Sequence, residues 1–216
     1  MWTIKNSELL TMELEEKIQA VKGVFDILDA EIALFQENTK LGCKSGCGEC
    51  CKKPNIEATI LEFLPLAFHL YKENMVDIFL DKINNKNILN DTNNEVTNDG
   101  ICVLFAPFLP NGKTGYCTIY EHRGLICRLF GFSATTDKNG QKLLATCRII
   151  KENYKEDYEK AVESIKNGGF IPLIRDFYYK MYAIDLNLGE GRLPINEAIK
   201  RALELVDTYF YYANQE

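Results

Sequence analysis

Four cysteines within nine residues constrain this chain more than any other feature, in the pattern Cys43-x3-Cys47-x2-Cys50-Cys51. Glycines stand at positions 42, 46 and 48 of the same stretch. Because glycine adopts positive φ values and allows close backbone approach, the segment can wrap its thiols around a single point. A lone cysteine is often a small buried apolar residue, but that explanation does not account for four in so short a run. The pattern therefore predicts metal binding.

The adjacent pair Cys50-Cys51 leaves two interpretations open. Consecutive side chains usually diverge, so both thiolates on one tetrahedral ion would be awkward. Either the two residues ligate different metals, or one ligates a metal while the other contacts the ligands without binding the metal itself.

Four more cysteines follow, and we predict that all eight are metal ligands: Cys43, Cys47, Cys50, Cys51, Cys102, Cys117, Cys127 and Cys147. Arginine follows the last two of them. For Arg128 we predict a guanidinium that offsets the charge of a thiolate or donates to its sulfur. For Arg148 we favour an ion pair with a surface carboxylate.

Composition and charge restrict the cellular compartment and the binding partners that we expect. The N-terminus lacks a basic region followed by an apolar one, and no apolar run is long enough to span a bilayer. We therefore expect a cytoplasmic protein with no membrane partner, in which thiols stay reduced. A net charge of −6 argues against general binding to nucleic acid. The expected partner is a protein or small molecule of unknown identity.

The apolar periodicity predicts a mainly α fold, with helices around a loop-rich cysteine core. One amphipathic helix is expected from Ser7 to Gln36, with Gly42 as its stop. Thr59 and Glu62 form a capping-box pattern, which predicts a second helix through about Asp81, bent near Pro65. We interpret residues 83–99 as an exposed loop, because this stretch holds seven asparagines: 84, 85, 87, 90, 93, 94 and 98.

The second half of the chain predicts one small β-hairpin and three helices. The hairpin lies between Leu129 and Cys147, turns at residues 137–140, and should bring Cys127 near Cys147. A helix from Ile150 to Ile165 follows, and two more open with Pro172 and Pro194. We expect a single domain over residues 1–216, with a cysteine core at about 40–150 between flanking helices at 7–38 and 150–213.

These motifs together resemble a known family. The run from Cys43 to Cys51, then Thr59-x-x-Glu62, then Cys117-Thr-Ile-Tyr120-Glu-x-Arg123-x3-Cys127-Arg128, is similar to the putative zinc- or iron-chelating domain family of cysteine-cluster proteins. The resemblance covers roughly residues 40–135. It implies metal chelation by the cysteines, with a biochemical role that is mostly unassigned across the family.

The chain departs from that family pattern at two places. The family usually has Arg-Pro where this chain has Arg123-Gly124, which we expect to loosen the turn before Cys127. The family also has a Cys-Pro-x-Leu segment, to which Ala106-Pro107-Phe108-Leu109 is similar with alanine in the cysteine's place. Either Cys102 takes over that ligand position, or the ligand is lost and Cys147 replaces it.

The metal and the activity stay open at this stage. Sulfur ligation suits both zinc and iron–sulfur clusters, and we favour the cluster. The spacing from Cys43 to Cys50 matches the cysteines of radical S-adenosylmethionine enzymes, but the β/α alternation of their barrel is absent. We therefore favour a metal-binding protein serving redox, metal handling or modification. The alternatives are an iron–sulfur enzyme that modifies protein side chains, as in lysine methylation, and a structural zinc module that binds a partner.

Other residues with chemical potential have simpler explanations. His69 lies in an apolar helical pattern and is expected to be a core histidine rather than a ligand. His122 falls within the cysteine motif at a position that the family leaves open. The aromatic residues near the C-terminus predict core and groove packing, with a substrate cleft as the alternative: Phe177, Tyr178, Tyr179, Tyr182, Tyr209, Phe210, Tyr211 and Tyr212.

Overall fold

A long N-terminal helix, α1 (Leu14–Thr39), is the longest element of the computed structural model, which describes residues 12–43, 47–91, 100–108 and 114–213. The remaining helices are α2 (Leu64–Lys72), α3 (Val76–Asp91), α4 (Leu125–Leu129), α5 (Arg148–Asn153), α6 (Lys155–Lys166), α7 (Ile174–Ile184), α8 (Leu186–Glu190) and α9 (Ile195–Ala213). Helices hold 64% of the described residues, which confirms the mainly α fold.

Six short strands form two-stranded antiparallel sheets: β1 (Glu57–Ala58) with β6 (Leu193–Pro194), β2 (Phe105–Phe108) with β3 (Thr114–Cys117), and β4 (Ser133–Thr136) with β5 (Lys142–Ala145). The β4–β5 pair is the predicted hairpin, in register from Ser133 opposite Ala145 to Thr136 opposite Lys142. Two further antiparallel pairs accompany the predicted hairpin, and the sequence does not reveal them because their strands of two and four residues are too short to show alternation.

Helix α1 confirms the predicted amphipathic pattern but not its ends. Met12 and Glu13 precede the helix, and the predicted start at Ser7 lies outside the described residues. The backbone N–H of Glu13 donates to the Glu16 carboxylate at 3.1 Å, which closes the first turn. Lys40, with a φ of 59°, ends the helix before Gly42. The apolar face is buried at Ile18, Val21, Phe25, Leu28, Ile32 and Phe35.

The second predicted helix is divided into α2 and α3. Asn74 takes a φ of 54° between them, so the chain turns instead of continuing to Asp81. Pro65 lies in the first turn of α2 and not at a bend. Proline is tolerated there because the N–H groups of the first turn have no acceptor within the helix, so its lack of an N–H breaks no hydrogen bond.

The asparagine-rich stretch is helical as far as Asp91, so the prediction of a loop from residue 83 is wrong. Phe79 and Ile83 are buried, and α3 packs against α9. This apolar contact outweighs the weak helix propensity of asparagine. Asn93, Asn94 and Asn98 lie outside the described residues.

The C-terminal helices differ from the prediction in two ways: one predicted helix is broken in two, and two others begin later than their predicted first residues. Tyr154 separates α5 from α6, while α7 begins at Ile174 and α9 at Ile195, both after the predicted proline starts. The core lies among α1, α2, α7 and α9. Of the C-terminal aromatics, Tyr179, Tyr211 and Tyr212 are 61–65% exposed, which corrects their assignment to packing. Phe210 does pack, with its ring 5.0 Å from that of Tyr71.

Candidate metal centre

Five cysteines from four separate segments act on one another and form what we call the inner group: Cys50, Cys51, Cys102, Cys117 and Cys127. The Cys51 thiol shares hydrogen bonds with both Cys50 and Cys117. The charge of Cys102 acts on Cys51 and on Cys127. The fold therefore assembles thiols that stand up to 77 positions apart in the chain, from 50 to 127.

Backbone contacts hold the Cys102 segment against the Cys51 segment. The N–H of Cys102 donates to the carbonyl of Cys51 at 3.1 Å. From the start of α9, the Asn196 side chain accepts from the N–H of Val103 at 2.7 Å and donates to the carbonyl of Ile101 at 2.9 Å. Sequence reasoning missed Asn196, because its partners are more than 90 residues away.

Gly48 shapes the loop that carries the first cysteines. It takes a φ of 60°, and a Cβ atom built there would lie 2.8 Å from the Phe105 ring and 2.9 Å from the carbonyl carbon of Gly115. Its carbonyl accepts from the N–H of Cys51 at 3.0 Å, which begins the turn through Glu49–Lys52. Glycine at 48 thus serves as predicted. Gly42 does not take a positive φ, and Gly46 lies outside the described residues.

Helix α4 carries Cys127 and is anchored by the Thr59–Glu62 motif. Both Glu62 oxygens accept backbone N–H groups at 2.7 Å, one from Thr59 and the other from Ile126 in the first turn of α4. Gly124 precedes that turn, and a Cβ atom there would lie 2.8 Å from the Phe63 ring and 2.9 Å from Glu62 Oε2. Glycine at 124 therefore permits a close approach, where we expected a loosened turn.

The thiols of the inner group differ in their pKa values. Hydrogen bonding with the Cys51 thiol, which has one hydrogen to donate to either neighbour, lowers the pKa of Cys50 to about 6 and that of Cys117 to about 7. The same hydrogen bonds, with burial, raise the pKa of Cys51, and burial raises that of Cys127. Since the thiolate is the metal-binding form, Cys50 and Cys117 are prepared as ligands near neutral pH. Binding through the other two would release protons.

The arginine beside the thiols is Arg123, not Arg128. The positive charge of Arg123 helps to lower the pKa values of Cys50 and Cys117, and its guanidinium lies 3.8 Å from the centre of the Tyr120 ring. Arg128 instead donates to the Asp29 carboxylate and to the carbonyls of Arg123 and Glu121. Within the described part of the chain its hydrogen bonds all go to oxygen, so the prediction that it donates to sulfur is wrong there. Arg148 pairs with Glu152 at the surface, as predicted.

The remaining cysteines, which we call the outer group, are Cys43, Cys47 and Cys147. Burial first, and then the charges of Cys47, Cys50 and Cys147, raise the pKa of Cys43 to about 11. The Cys147 sulfur also accepts the N–H of Ile150 at 3.4 Å and so caps α5. The charge of Cys147 thus acts on Cys43, whereas the cysteine charges that act most on Cys127 are those of the inner group. That the hairpin brings Cys127 near Cys147 stays a prediction.

A small cavity lies within the inner group. Four cysteines line it, Cys50, Cys51, Cys102 and Cys127, together with apolar residues that include Ile126 and Ile195. Its volume is about 30 Å³, on the scale of one or two water molecules and too small for an organic substrate. Among the described residues, no three His, Cys, Asp or Glu side chains already lie close enough to share one ion. Thiols are nevertheless the soft donors that zinc and iron prefer, so the residues around the cavity fit either metal by their chemistry.

The two histidines stack on each other instead of facing the cysteines. The rings of His69, in α2, and His122 lie 4.0 Å apart at an angle of 17°. Both are half-buried, which agrees with the interpretation of His69 as a packed histidine.

Comparison with known families adds one decisive observation. Residues 42–148 match the model of the family described as the putative zinc- or iron-chelating domain. The chain therefore carries a domain that matches that family over 107 of its 216 residues. The chelating domain runs from the residue before Cys43 to the residue after Cys147, so it contains all eight cysteines of the protein. The resemblance seen in the motifs is confirmed and extends beyond residue 135 to include the β4–β5 hairpin.

The other comparisons are negative. No curated protein and no solved structure matches the chain. None of the described helices has both the length and the apolarity that a membrane crossing requires.

Proposed function

We propose that this protein holds one metal ion, zinc or iron, in the inner group. The observation that carries the proposal is the cavity of about 30 Å³ lined by four cysteines. Four thiolates are the usual complement of a closed tetrahedral site, with sulfur about 2.3 Å from zinc. The cavity volume suits an ion of that kind better than a larger group.

An iron–sulfur cluster in the chelating domain is the second candidate. It is supported by the number of thiols, since the inner group continues beyond the cavity to Cys117 and the outer group supplies three more. A cluster also reaches thiolates that are too far apart to share one ion. Binding a cluster would require the residues that line the cavity to move apart.

The biological role proposed here is metal handling, or electron transfer where the metal is iron, in a reducing, cytoplasmic setting. All eight cysteines are thiols and none forms a disulfide, which agrees with that setting. The small cavity favours these roles over modification of a protein side chain, because a co-substrate would need a larger space beside the metal.

Metal analysis of protein purified without oxygen tests the proposal. One equivalent of zinc or iron without inorganic sulfide would support a single ion, and a coloured protein with stoichiometric iron and sulfide would support the cluster. Protein that contains no metal and takes up none in titrations with Zn²⁺ and Fe²⁺ would refute both candidates.

A pair of variants locates the site. Cys102→Ser removes a thiol that lines the cavity and should abolish binding of the inner-group metal. Cys147→Ser is the matched control, because Cys147 belongs to the outer group. Equal metal content in the two variants would contradict a site in the inner group.

A further inference from the structure

Residues at the start of α9 contact two of the segments that carry cysteines of the inner group, although they lie outside the chelating domain. We call residues 193–196 the α9 clamp: Leu193 and Pro194 form β6, and Ile195 and Asn196 begin α9. The chelating domain ends at residue 148. The clamp therefore supplies contacts to the cysteine core that the cysteine motif does not contain.

One side of the clamp holds the segment that follows Cys51. Strand β6 pairs with β1 directly before α9. The N–H of Ile195 then donates to the carbonyl of Ile56 at 2.8 Å. Ile195 and Ile56 both line the cavity of the inner group, so this backbone contact joins two residues of the cavity wall.

The other side of the clamp holds the segment around Cys102. The Asn196 side chain accepts the N–H of Val103 at 2.7 Å and donates to the carbonyl of Ile101 at 2.9 Å. Because its amide offers a carbonyl oxygen and an N–H donor together, one side chain satisfies both backbone groups. Asn196 thus binds the backbone on both sides of Cys102, which is 5% exposed and lines the same cavity.

The rest of α9 anchors the clamp in the core. Four residues in the next two turns of this helix have no exposed surface: Ala198, Ile199, Ala202 and Leu203. The helix packs against α2 and α3. Since burial of apolar surface is the main stabilising contribution in folding, the start of α9 is held in place independently of the cysteines.

Cys102 depends on this support more than the other cysteines of the cavity do. Cys127 is part of α4, and Cys50 and Cys51 share one helical turn. Cys102 lies outside every helix and strand. Release of a metal from a site of four thiolates begins when one sulfur dissociates and its segment moves away. The contacts on either side of Cys102 therefore decide how firmly that ligand is held.

We propose that the α9 clamp completes the metal site of the inner group from outside the chelating domain, and that Asn196 is a positioning residue that keeps Cys102 among the ligands. This inference rests on the metal site proposed above. It adds that retention of the metal in this protein depends on the C-terminal helix and not on the chelating domain alone.

Asn196→Ala tests the proposal in metal-loaded protein. The variant should release Zn²⁺ about tenfold faster than the wild type, measured by capture with a chromophoric chelator. With Co²⁺, loss of one thiolate of four should lower the sulfur-to-metal charge-transfer absorption by about a quarter. Alkylation of the metal-loaded variant should label Cys102 while Cys127 stays protected, a selectivity that general loosening of the fold does not produce.

Glu197→Ala is the matched control in the same turn of α9. The Glu197 carboxylate accepts from Arg201 at 2.7 Å within the helix, so this variant loses a side-chain hydrogen bond next to the clamp and not in it. It should release Zn²⁺ at the wild-type rate. Equally fast release from Glu197→Ala and Asn196→Ala would show that any change at the start of the helix is sufficient, and would overturn the role of Asn196.

Hydrogen exchange in the wild type tests the clamp without a substitution. Because coupling is reciprocal, a clamp that retains the metal is itself stabilised when the metal binds. Zn²⁺ should therefore slow exchange of the Ile195 N–H about tenfold. The control is the N–H of Leu188, which donates to the Asp185 side chain at 3.0 Å in α8 and should slow less. An Ile195 N–H that exchanges equally fast with and without Zn²⁺ would overturn the inference.

The outcomes distinguish this inference from the function on which it rests. Wild-type release and Co²⁺ absorption in Asn196→Ala, or labelling spread equally over Cys102 and Cys127, would overturn the inference while leaving the metal site intact. Failure of the wild-type protein to bind Zn²⁺ or Co²⁺ would overturn the proposed function itself.

Discussion

Glu62 accepts the backbone N–H of Ile126 at 2.7 Å, across 64 positions of the sequence. Its other carboxylate oxygen accepts from Thr59 within the same motif, so one buried side chain joins the start of α2 to the start of α4. Because Cys127 follows Ile126, this contact also places a cysteine of the inner group. A capping motif that looks local in the sequence therefore has a long-range function.

Replacing Glu62 should destabilise the protein and displace α4. Glu62→Gln keeps the volume but leaves only one oxygen to accept from two N–H groups, so we expect a loss of about 1–3 kcal/mol in the free energy of unfolding. Urea denaturation measures it, with Glu57→Gln at an exposed position as the control. Equal midpoints for the two variants would show that the second N–H finds another acceptor.

Asn196 should control access to Cys102. Asn196→Ala leaves the N–H of Val103 and the carbonyl of Ile101 without their partner, which frees the segment around a cysteine that is 5% exposed. We expect faster alkylation of Cys102 in metal-free protein, measured by mass spectrometry after proteolysis. Asn187→Ala, at an exposed position of α8, is the control and should react like the wild type. Unchanged labelling of Cys102 would show that other contacts hold the segment.

The Arg128–Asp29 ion pair should contribute less than the carbonyl contacts of the same arginine. Arg128 is 7% exposed and donates to the carbonyls of Glu121 and Arg123, whereas the Asp29 side chain is 46% exposed. Asp29→Asn should therefore cost less than about 1 kcal/mol. Arg128→Met should cost about 2–3 kcal/mol, because two buried carbonyls lose a charged donor. Thermal unfolding of both variants measures the difference, and similar losses would place the energy in the ion pair.

The histidine pair should make stability depend on pH. Burial, followed by the charges of His69, Lys22 and Arg128, holds the pKa of His122 below its usual value, and only Glu121 opposes them. The unfolded chain therefore binds more protons at this residue than the folded protein does. Stability is lost as the pH falls from about 6.5 toward the lower pKa of the folded state.

His122→Phe keeps a stacked ring without that titration. The loss of melting temperature between pH 7 and pH 5.5 should be smaller in His122→Phe than in the wild type. Both proteins share all other titrating groups, so the difference between the two curves isolates this residue. Parallel curves would contradict a depressed pKa at His122.

Much of the fold follows from local patterns. The periodicity of α1 predicts its buried face, because one side of a helix repeats every three to four residues whatever surrounds it. The β4–β5 hairpin is predictable for the same reason, since its strands and its turn adjoin each other. Where local signals are weak, tertiary packing decides: the asparagines of α3 are helical because Phe79 and Ile83 are buried beside α9.

The candidate site likewise has features that the sequence predicts and features that only the tertiary structure decides. The spacing of Cys43, Cys47, Cys50 and Cys51 by itself predicts metal binding, because thiols so close in sequence stay close in any fold. Only the tertiary structure decides that the N–H of Cys102 donates to the carbonyl of Cys51, that the charge of Cys147 acts on Cys43, and that the charge of Arg123 acts on Cys50 and Cys117. These relations depend on hydrogen bonds and charges between segments that stand far apart in the chain, such as that from Ile126 to Glu62, and a linear pattern does not contain them.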